Sequence, residues 1–245
     1  MTGTPGRLLP FDERGGLIVL IDPGRTSAVD AGELAARSAD AGACGFLVGD
    51  SLGNGRTVTA HVAALRHAAP GLPVVQFPSS AADLSPDVDA VLFLVLLSGR
   101  DPRYLIEEQV RAVGFFDRHP EVRAISTAYV LVDGGRKSTV EVVSGTRPLP
   151  ADAGVVAAHV KAGRLMGMQA TYLEAGSGAT RPVPAAVIAA ARDACDRPLF
   201  VGGGVTTAAA TRAAREAGAD YVVVGTLFER DRSAAVRTLV SASRA

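Results

Sequence analysis

Short apolar runs rich in branched residues recur along the chain, near Gly16 to Ile21, Gly45 to Val48, Pro73 to Phe77, Ala90 to Leu97, Ala124 to Val132, Met168 to Leu173, Pro198 to Val201 and Tyr221 to Val224. Most show no polar alternation, which is the pattern of strands covered on both faces. Helix-forming stretches fall between most of them: Asp30 to Ala41, Val58 to Ala69, Pro102 to Phe116, Asp152 to Leu165, Pro184 to Ala194 and Thr207 to Ala217. Gly or Pro often stands just beyond, where helices stop. Strand, loop, helix in repeated order predicts an α/β protein with a parallel sheet. At 245 residues the chain matches the length of about 250 typical of a (β/α)8 TIM barrel, in one domain spanning 1–245.

Two connections depart from the repeat. Pro78 to Val88 contains two prolines and three serines and is too short for a packed crossover helix. The barrel is therefore expected to be modified, with a loop replacing the helix between strands three and four. Between strands five and six the chain is long instead, with Asp133-Gly134-Gly135 and Gly145-Thr146-Arg147-Pro148-Leu149-Pro150 flanking a short β-branched stretch. That segment is placed to cover the mouth of the barrel.

Candidate chemistry gathers at the ends of strands. Tyr172-Leu173-Glu174-Ala175-Gly176-Ser177-Gly178 puts a tyrosine and a carboxylate two residues apart, on one face of strand six, ahead of a glycine-rich loop. Such glycines let the backbone approach a ligand and turn N–H groups toward an anion. A second cluster, Gly202-Gly203-Gly204, follows strand seven and leads into a helix, and Gly225-Thr226 follows strand eight. Glycine loops after these two strands match the phosphate site of many barrels. Asp22 ends strand one; Asp50 and Ser51 follow strand two. Their hard oxygens suit Mg2+ when substrate oxygens and waters complete the shell.

Composition narrows the classes. Formal net charge is zero, with 25 basic and 25 acidic residues and no basic block, which argues against nucleic-acid or anionic-membrane surfaces. Cys44 and Cys195 lack metal-ligand spacing and suit a reducing cytoplasm. The opening residues lack a leader pattern, and no apolar run approaches the ~18 residues that span a bilayer. His61, His67, His119 and His159 have no mutual spacing, so packing or surface roles are expected of them.

These residues together resemble the phosphoglycerol prenyltransferase family, the geranylgeranylglyceryl phosphate synthases and their bacterial heptaprenyl relatives. The resemblance runs nearly end to end. It is carried by Leu20-Ile21-Asp22-Pro23, the turn at 49–53, Leu97-Ser98-Gly99-Arg100-Asp101-Pro102, the run 145–150, Tyr172 to Ala179 with Pro182-Val183-Pro184, the triple glycine, and Ala217-Gly218-Ala219-Asp220 through Gly225-Thr226. It implies a barrel with one peripheral helix replaced. It also implies alkylation of the primary hydroxyl of sn-glycerol 1-phosphate by a polyprenyl diphosphate, with release of diphosphate, formation of an ether and Mg2+ as cofactor.

The resemblance assigns Asp22 and Ser51 to the metal. It assigns Tyr172, Leu173, Glu174, Ala175, Gly176, Ser177, Gly178, Gly203, Gly204, Gly225 and Thr226 to the glycerol phosphate. Glu174 is the expected proton acceptor, with Tyr172 beside it. Tyr104 borders the expected prenyl groove, and the apolar helix carrying it offers a surface for a homodimer. Two departures bear on substrate choice: Asp50 stands where the family usually has glycine, and Arg25 is the nearest basic residue after Asp22-Pro23 where relatives often carry lysine. A related barrel using another phosphorylated three-carbon acceptor, such as 3-phosphoglycerate, is one rival. A sugar-phosphate isomerase or aldolase is another, weakened because the two lysines, Lys137 and Lys161, lie off the strand ends. A barrel that binds these ligands without catalysis is the third.

Overall fold

The structure, a computed structural model, describes residues 8–12, 15–49, 58–225 and 234–244. Eight parallel strands close into a barrel in sequence order: β1 (Gly16–Ile21), β2 (Gly45–Val48), β3 (Val74–Gln76), β4 (Ala90–Leu96), β5 (Arg123–Leu131), β6 (Ala170–Glu174), β7 (Leu199–Gly202) and β8 (Tyr221–Val224). β8 pairs back onto β1, with Gly16 beside Tyr221 and Val19 beside Val224. The expected strands are all present, each shifted by no more than a couple of residues. Closure leaves no free sheet edge.

The outer layer holds α1 (Ala28–Ala41), α2 (Thr59–Ala68), α3 (Glu108–Arg118), α4 (Thr139–Ser144), α5 (Ala153–Leu165), α6 (Ala185–Ala194), α7 (Ala208–Glu216) and α8 (Ala234–Ala242). Several begin on a side-chain cap: Ser27 accepts from the Asp30 amide, Asp152 from Val155 and Thr207 from Ala210. Gly42 and Gly218, at φ of 85° and 105°, turn the chain out of α1 and away from the end of α7. Between β3 and β4 there is only a single 3-10 turn, Ala81–Asp83, so the outer ring has its expected gap.

Three segments differ from the sequence reading. The β-branched stretch after β5 is helical: Ser138 accepts from the Glu141 amide while Glu141 reaches back to the Ser138 amide, and this capping box overrides the strand preference of Val and Thr. The helix expected from Pro102 opens instead as a π-helical stretch, Arg103–Glu107, before α3. α8, which the sequence reading did not contain, packs against α1, α7 and β1.

The core has two shells. Leu17, Val19, Phe46, Val130, Leu173, Val201 and Val222 face outward against the helices. Ile18, Leu47, Leu92, Ile125, Tyr129, Tyr172, Phe200, Tyr221 and Val223 face inward, and Phe11 from the N-terminal segment packs with them. The inner shell contains an aromatic tier set by register. Tyr129 pairs with Tyr172, Tyr172 with Phe200, and Phe200 with Tyr221. Their ring centroids are 5.5, 5.9 and 4.8 Å apart in turn. One residue further along the same faces, two positions on, come Leu131, Glu174, Gly202 and Val223. The aromatic tier is thus a floor, and Glu174 stands just above it.

Candidate active site

Above the aromatic floor, at the carboxyl ends of the strands, lies a polar cavity. Asp22, Tyr172, Glu174, Ser177, Gly178, Gly203, Gly204 and Gly225 line it, joined by Phe77, Tyr129, Arg136 and Val140. Asp50, Ser51 and Thr226 lie outside the described residues. Leu173 and Ala175 point their side chains into the outer core. Their place in β6 follows from strand alternation, which sends neighbours of Glu174 to the opposite face.

Glu174 is 7% exposed and its carboxylate accepts a 2.7 Å hydrogen bond from the Gly176 amide. Gly176 therefore spends its N–H on Glu174. Burial raises the carboxyl to about 7, against the pull of the Gly176 amide and the Tyr172 hydroxyl in the other direction. Near neutral pH the group can both take and hold a proton. Tyr172 is fully buried; burial, then the charge of Glu174, pushes its ionisation well above the usual range, so its hydroxyl stays a donor. That hydroxyl and that of Tyr129 have no hydrogen-bond partner of normal geometry. Both hydroxyls stand beside the Glu174 carboxylate and are available as donors to a ligand oxygen.

Glycines make the room. A Cβ on Gly202 would lie 2.4 Å from the Tyr172 hydroxyl and 3.0 Å from Glu174 Oε2. One on Gly203, whose φ is 80°, would lie 2.3 Å from Glu174 Oε1. These residues are small because the carboxylate occupies their side-chain space. Gly225 differs: an added Cβ would meet Leu20 at 3.3 Å, a tight contact without positive φ.

Asp22 directly follows β1 and caps its own turn, accepting from the Gly24 amide at 2.8 Å and facing Arg25 Nε at 3.4 Å. Its carboxylate borders the cavity, and its hard oxygens fit Mg2+ in a site completed by substrate oxygens and waters. Among the described residues no group of three or more His, Cys, Asp or Glu is placed to hold a metal.

An apolar groove opens beside the polar cavity, through the gap in the outer ring. Phe77, Leu84, Leu92, Leu94, Tyr104 and Ala112 are among its walls. Tyr104, in the π-helical stretch, donates from its hydroxyl to the Val143 carbonyl at 3.3 Å and so ties that stretch to α4. Phe77, Tyr129 and Val140 line both cavities. The polar and apolar spaces therefore meet at one place, directly next to Tyr172 and Glu174. Sequence reasoning missed Phe77, Tyr129, Val140 and Arg136; Tyr129 carried a signal, as a polar-tipped residue on the inward face of β5, but its meeting with Phe77 depends on three-dimensional closure.

Comparison with known proteins agrees with this architecture. The PcrB family model matches residues 11–243. The chain belongs to the PcrB family. It is 41% identical over 234 residues to the geranylgeranylglyceryl phosphate synthase of Aeropyrum pernix, covering 91% of this chain and 90% of that one. It is 40% identical over 214 residues to the protein of the same name from Spirosoma linguale, covering 87% and 85%. Among solved structures it is similar to (S)-3-O-geranylgeranylglyceryl phosphate synthase from Thermoplasma acidophilum in complex with its substrate sn-glycerol-1-phosphate, at TM-score 0.87 and 29% identity over 94% of this chain and 93% of that one. The resemblance read from the sequence motifs is borne out.

Proposed function

We propose that this PcrB-family protein is a prenyltransferase that joins a polyprenyl diphosphate of geranylgeranyl type to the primary hydroxyl of sn-glycerol 1-phosphate. The observation that carries this reading is the meeting of a polar, glycine-lined cavity with an apolar groove at Phe77, Tyr129 and Val140. A phosphorylated polyol suits the first space and a prenyl tail the second. The relatives named above carry the corresponding activity in their names, and one of them holds the acceptor.

In this reading the acceptor's phosphate lies against the backbone at Ser177, Gly178, Gly203, Gly204 and Gly225, with Thr226 completing the cradle. Its glycerol hydroxyls face Tyr172 and Glu174. The free primary hydroxyl attacks the allylic carbon; the C–O bond to diphosphate breaks, diphosphate leaves with the bonding pair, and Glu174 accepts the hydroxyl proton. Asp22 and Ser51 would hold Mg2+, which when bound offsets the charge building on the departing diphosphate. Phe77, Tyr129 and Tyr172 keep water from the reacting carbon. The exposed apolar stripe Ile106, Val110 and Val113 is the surface proposed for homodimer contact. No helix among the described residues is long and apolar enough to cross a membrane, and the proposed location is the cytoplasm.

The test is turnover of labelled prenyl diphosphates of several lengths with sn-glycerol 1-phosphate, sn-glycerol 3-phosphate and 3-phosphoglycerate, with and without Mg2+. Ether formation with sn-glycerol 1-phosphate and a C20 donor, dependent on Mg2+, is expected. A preference for 3-phosphoglycerate would move the protein to a related acceptor class, and no transfer to any acceptor would remove the enzyme reading.

A further inference from the structure

Arg136 follows the Gly134-Gly135 turn after β5, and among the described residues it is the one cationic side chain lining the polar cavity. The same cavity carries two carboxylates, Asp22 and Glu174. Anionic substrates entering it, as the proposed function requires, therefore meet a wall with a deficit of positive side chains. Arg136 also has no hydrogen bond or ion pair with any described residue, unlike Arg100, Arg181 and Arg25 nearby. Arg100 donates to the carbonyls of Leu97 and Gly99. Arg181 lies 3.6 Å from Asp133 and Arg25 3.4 Å from Asp22.

The guanidinium lies beside a specific part of the cavity. Its Nη1 lies 3.9 Å from the position a Cβ would take on Gly178, in the loop after β6. The two loops are fastened to one another: the Gly134 carbonyl accepts from the amides of Thr180 and Arg181, at 3.0 and 3.1 Å, and from the Thr180 hydroxyl at 3.1 Å. Close packing adds to this, since a Cβ on Gly176 would fall 2.5 Å from that of Ser138. Arg136 thus springs from backbone fixed to the loop that bears Ser177 and Gly178. Asp22, where the donor's diphosphate is proposed to lie, directly follows β1.

We infer that Arg136 is a binding and specificity residue for the acceptor, closing over its phosphoryl group from the β5 side while backbone amides hold it from below. This rests on the proposed function and deepens it, by assigning the acceptor's dianion a side-chain partner in addition to the glycine loops. A planar fork matches a phosphoryl group with two parallel hydrogen bonds, so lysine should serve only in part.

Calorimetric binding of sn-glycerol 1-phosphate, together with steady-state kinetics for both substrates, separates the possibilities. The parent is compared with Arg136→Gln, Arg136→Lys and Lys137→Gln; Lys137 is the neighbouring cation, which lines the adjoining surface cavity that Arg136 also borders but not the polar one. Loss of a charge-assisted contact predicts that Arg136→Gln raises the acceptor's Kd and KM by about tenfold or more, with kcat and the donor's KM within about twofold, that Arg136→Lys falls between, and that Lys137→Gln is near the parent. An unchanged acceptor Kd in Arg136→Gln overturns the inference. So does a rise confined to the donor's KM, which would assign the guanidinium to the diphosphate, or equal weakening in Lys137→Gln, which would reduce the effect to the general field of the surface. A parent that binds sn-glycerol 1-phosphate yet fails to turn it over would sink the proposed reaction while leaving the binding comparison decisive for Arg136.

Discussion

At the scale of single residues, the state of Glu174 sets the chemistry. With its carboxyl raised to about 7, kcat/KM for the acceptor should climb as pH rises through that value, because only the ionised form accepts the hydroxyl proton. Glu174→Gln should lose that limb and roughly 10²-fold or more of single-turnover rate while still binding acceptor. Agreement of the two rates within a factor of about three would leave Glu174 as an anchor only. The same shift acts on stability. A carboxyl raised in the folded state above 4.5 contributes stability that is complete below 4.5 and lost as pH rises through about 7, on the order of 3 kcal/mol in all. Glu174→Gln escapes that loss, so its Tm relative to the parent should increase from acid to neutral pH; a constant difference would contradict the burial of the charge. Asp22→Asn, whose amide oxygen can still accept from Gly24, should keep the fold but lose several kcal/mol of transition-state stabilisation, about 10²-fold or more in kcat, with a higher Mg2+ requirement. Unchanged Mg2+ dependence would remove Asp22 from metal binding.

At the scale of elements, the glycine loops and the outer gap do different work. Gly203 and Gly225 both border the cavity but are not equivalent probes. Gly203→Val puts a branched side chain at φ 80° and into Glu174 Oε1, so it should damage folding and both ligands together. Gly225→Ala meets Leu20 first, at 3.3 Å, and should weaken acceptor binding more than donor binding with Tm little changed. Calorimetry with each ligand separates the cases; equal loss of both in Gly225→Ala would speak against a phosphate cradle there. On the other side, Ala112 of α3 faces the groove that the missing helix opens. Ala112→Phe should fill part of it, lowering kcat/KM for long prenyl donors far more than for short ones, and uniform loss across donor lengths would place the tail elsewhere. How much of these elements was legible differs in a physical way. Strands covered on both faces announce themselves as apolar runs, and Pro78 and Pro86 with adjacent serines announced the gap. α4 did not, because Val140, Val142 and Val143 favour strand in isolation while the Ser138 and Glu141 caps decide for helix. The capping spacing was in the sequence, but it competes with propensity until the tertiary contacts at Tyr104 and Gly176 choose.

For the molecule as a whole, barrel closure creates the property on which function rests, the junction of two unlike cavities. Tyr172 and Glu174 were legible locally, as two residues on one strand face before glycines. The aromatic floor was not, since Tyr129, Phe200 and Tyr221 lie far from Tyr172 in sequence and meet it only through strand register. Nor was Arg136, which is an ordinary surface residue until the β5 and β6 loops are fastened together. The central claim, that donor and acceptor lie side by side at this junction and form an ether there, is tested most directly with sn-glycerol 1-phosphate carrying 18O at its free primary hydroxyl and excess geranylgeranyl diphosphate. The account predicts one diphosphate released for each ether formed, with the label retained in the ether bridge. Release of diphosphate with free prenyl alcohol and no labelled ether would contradict it.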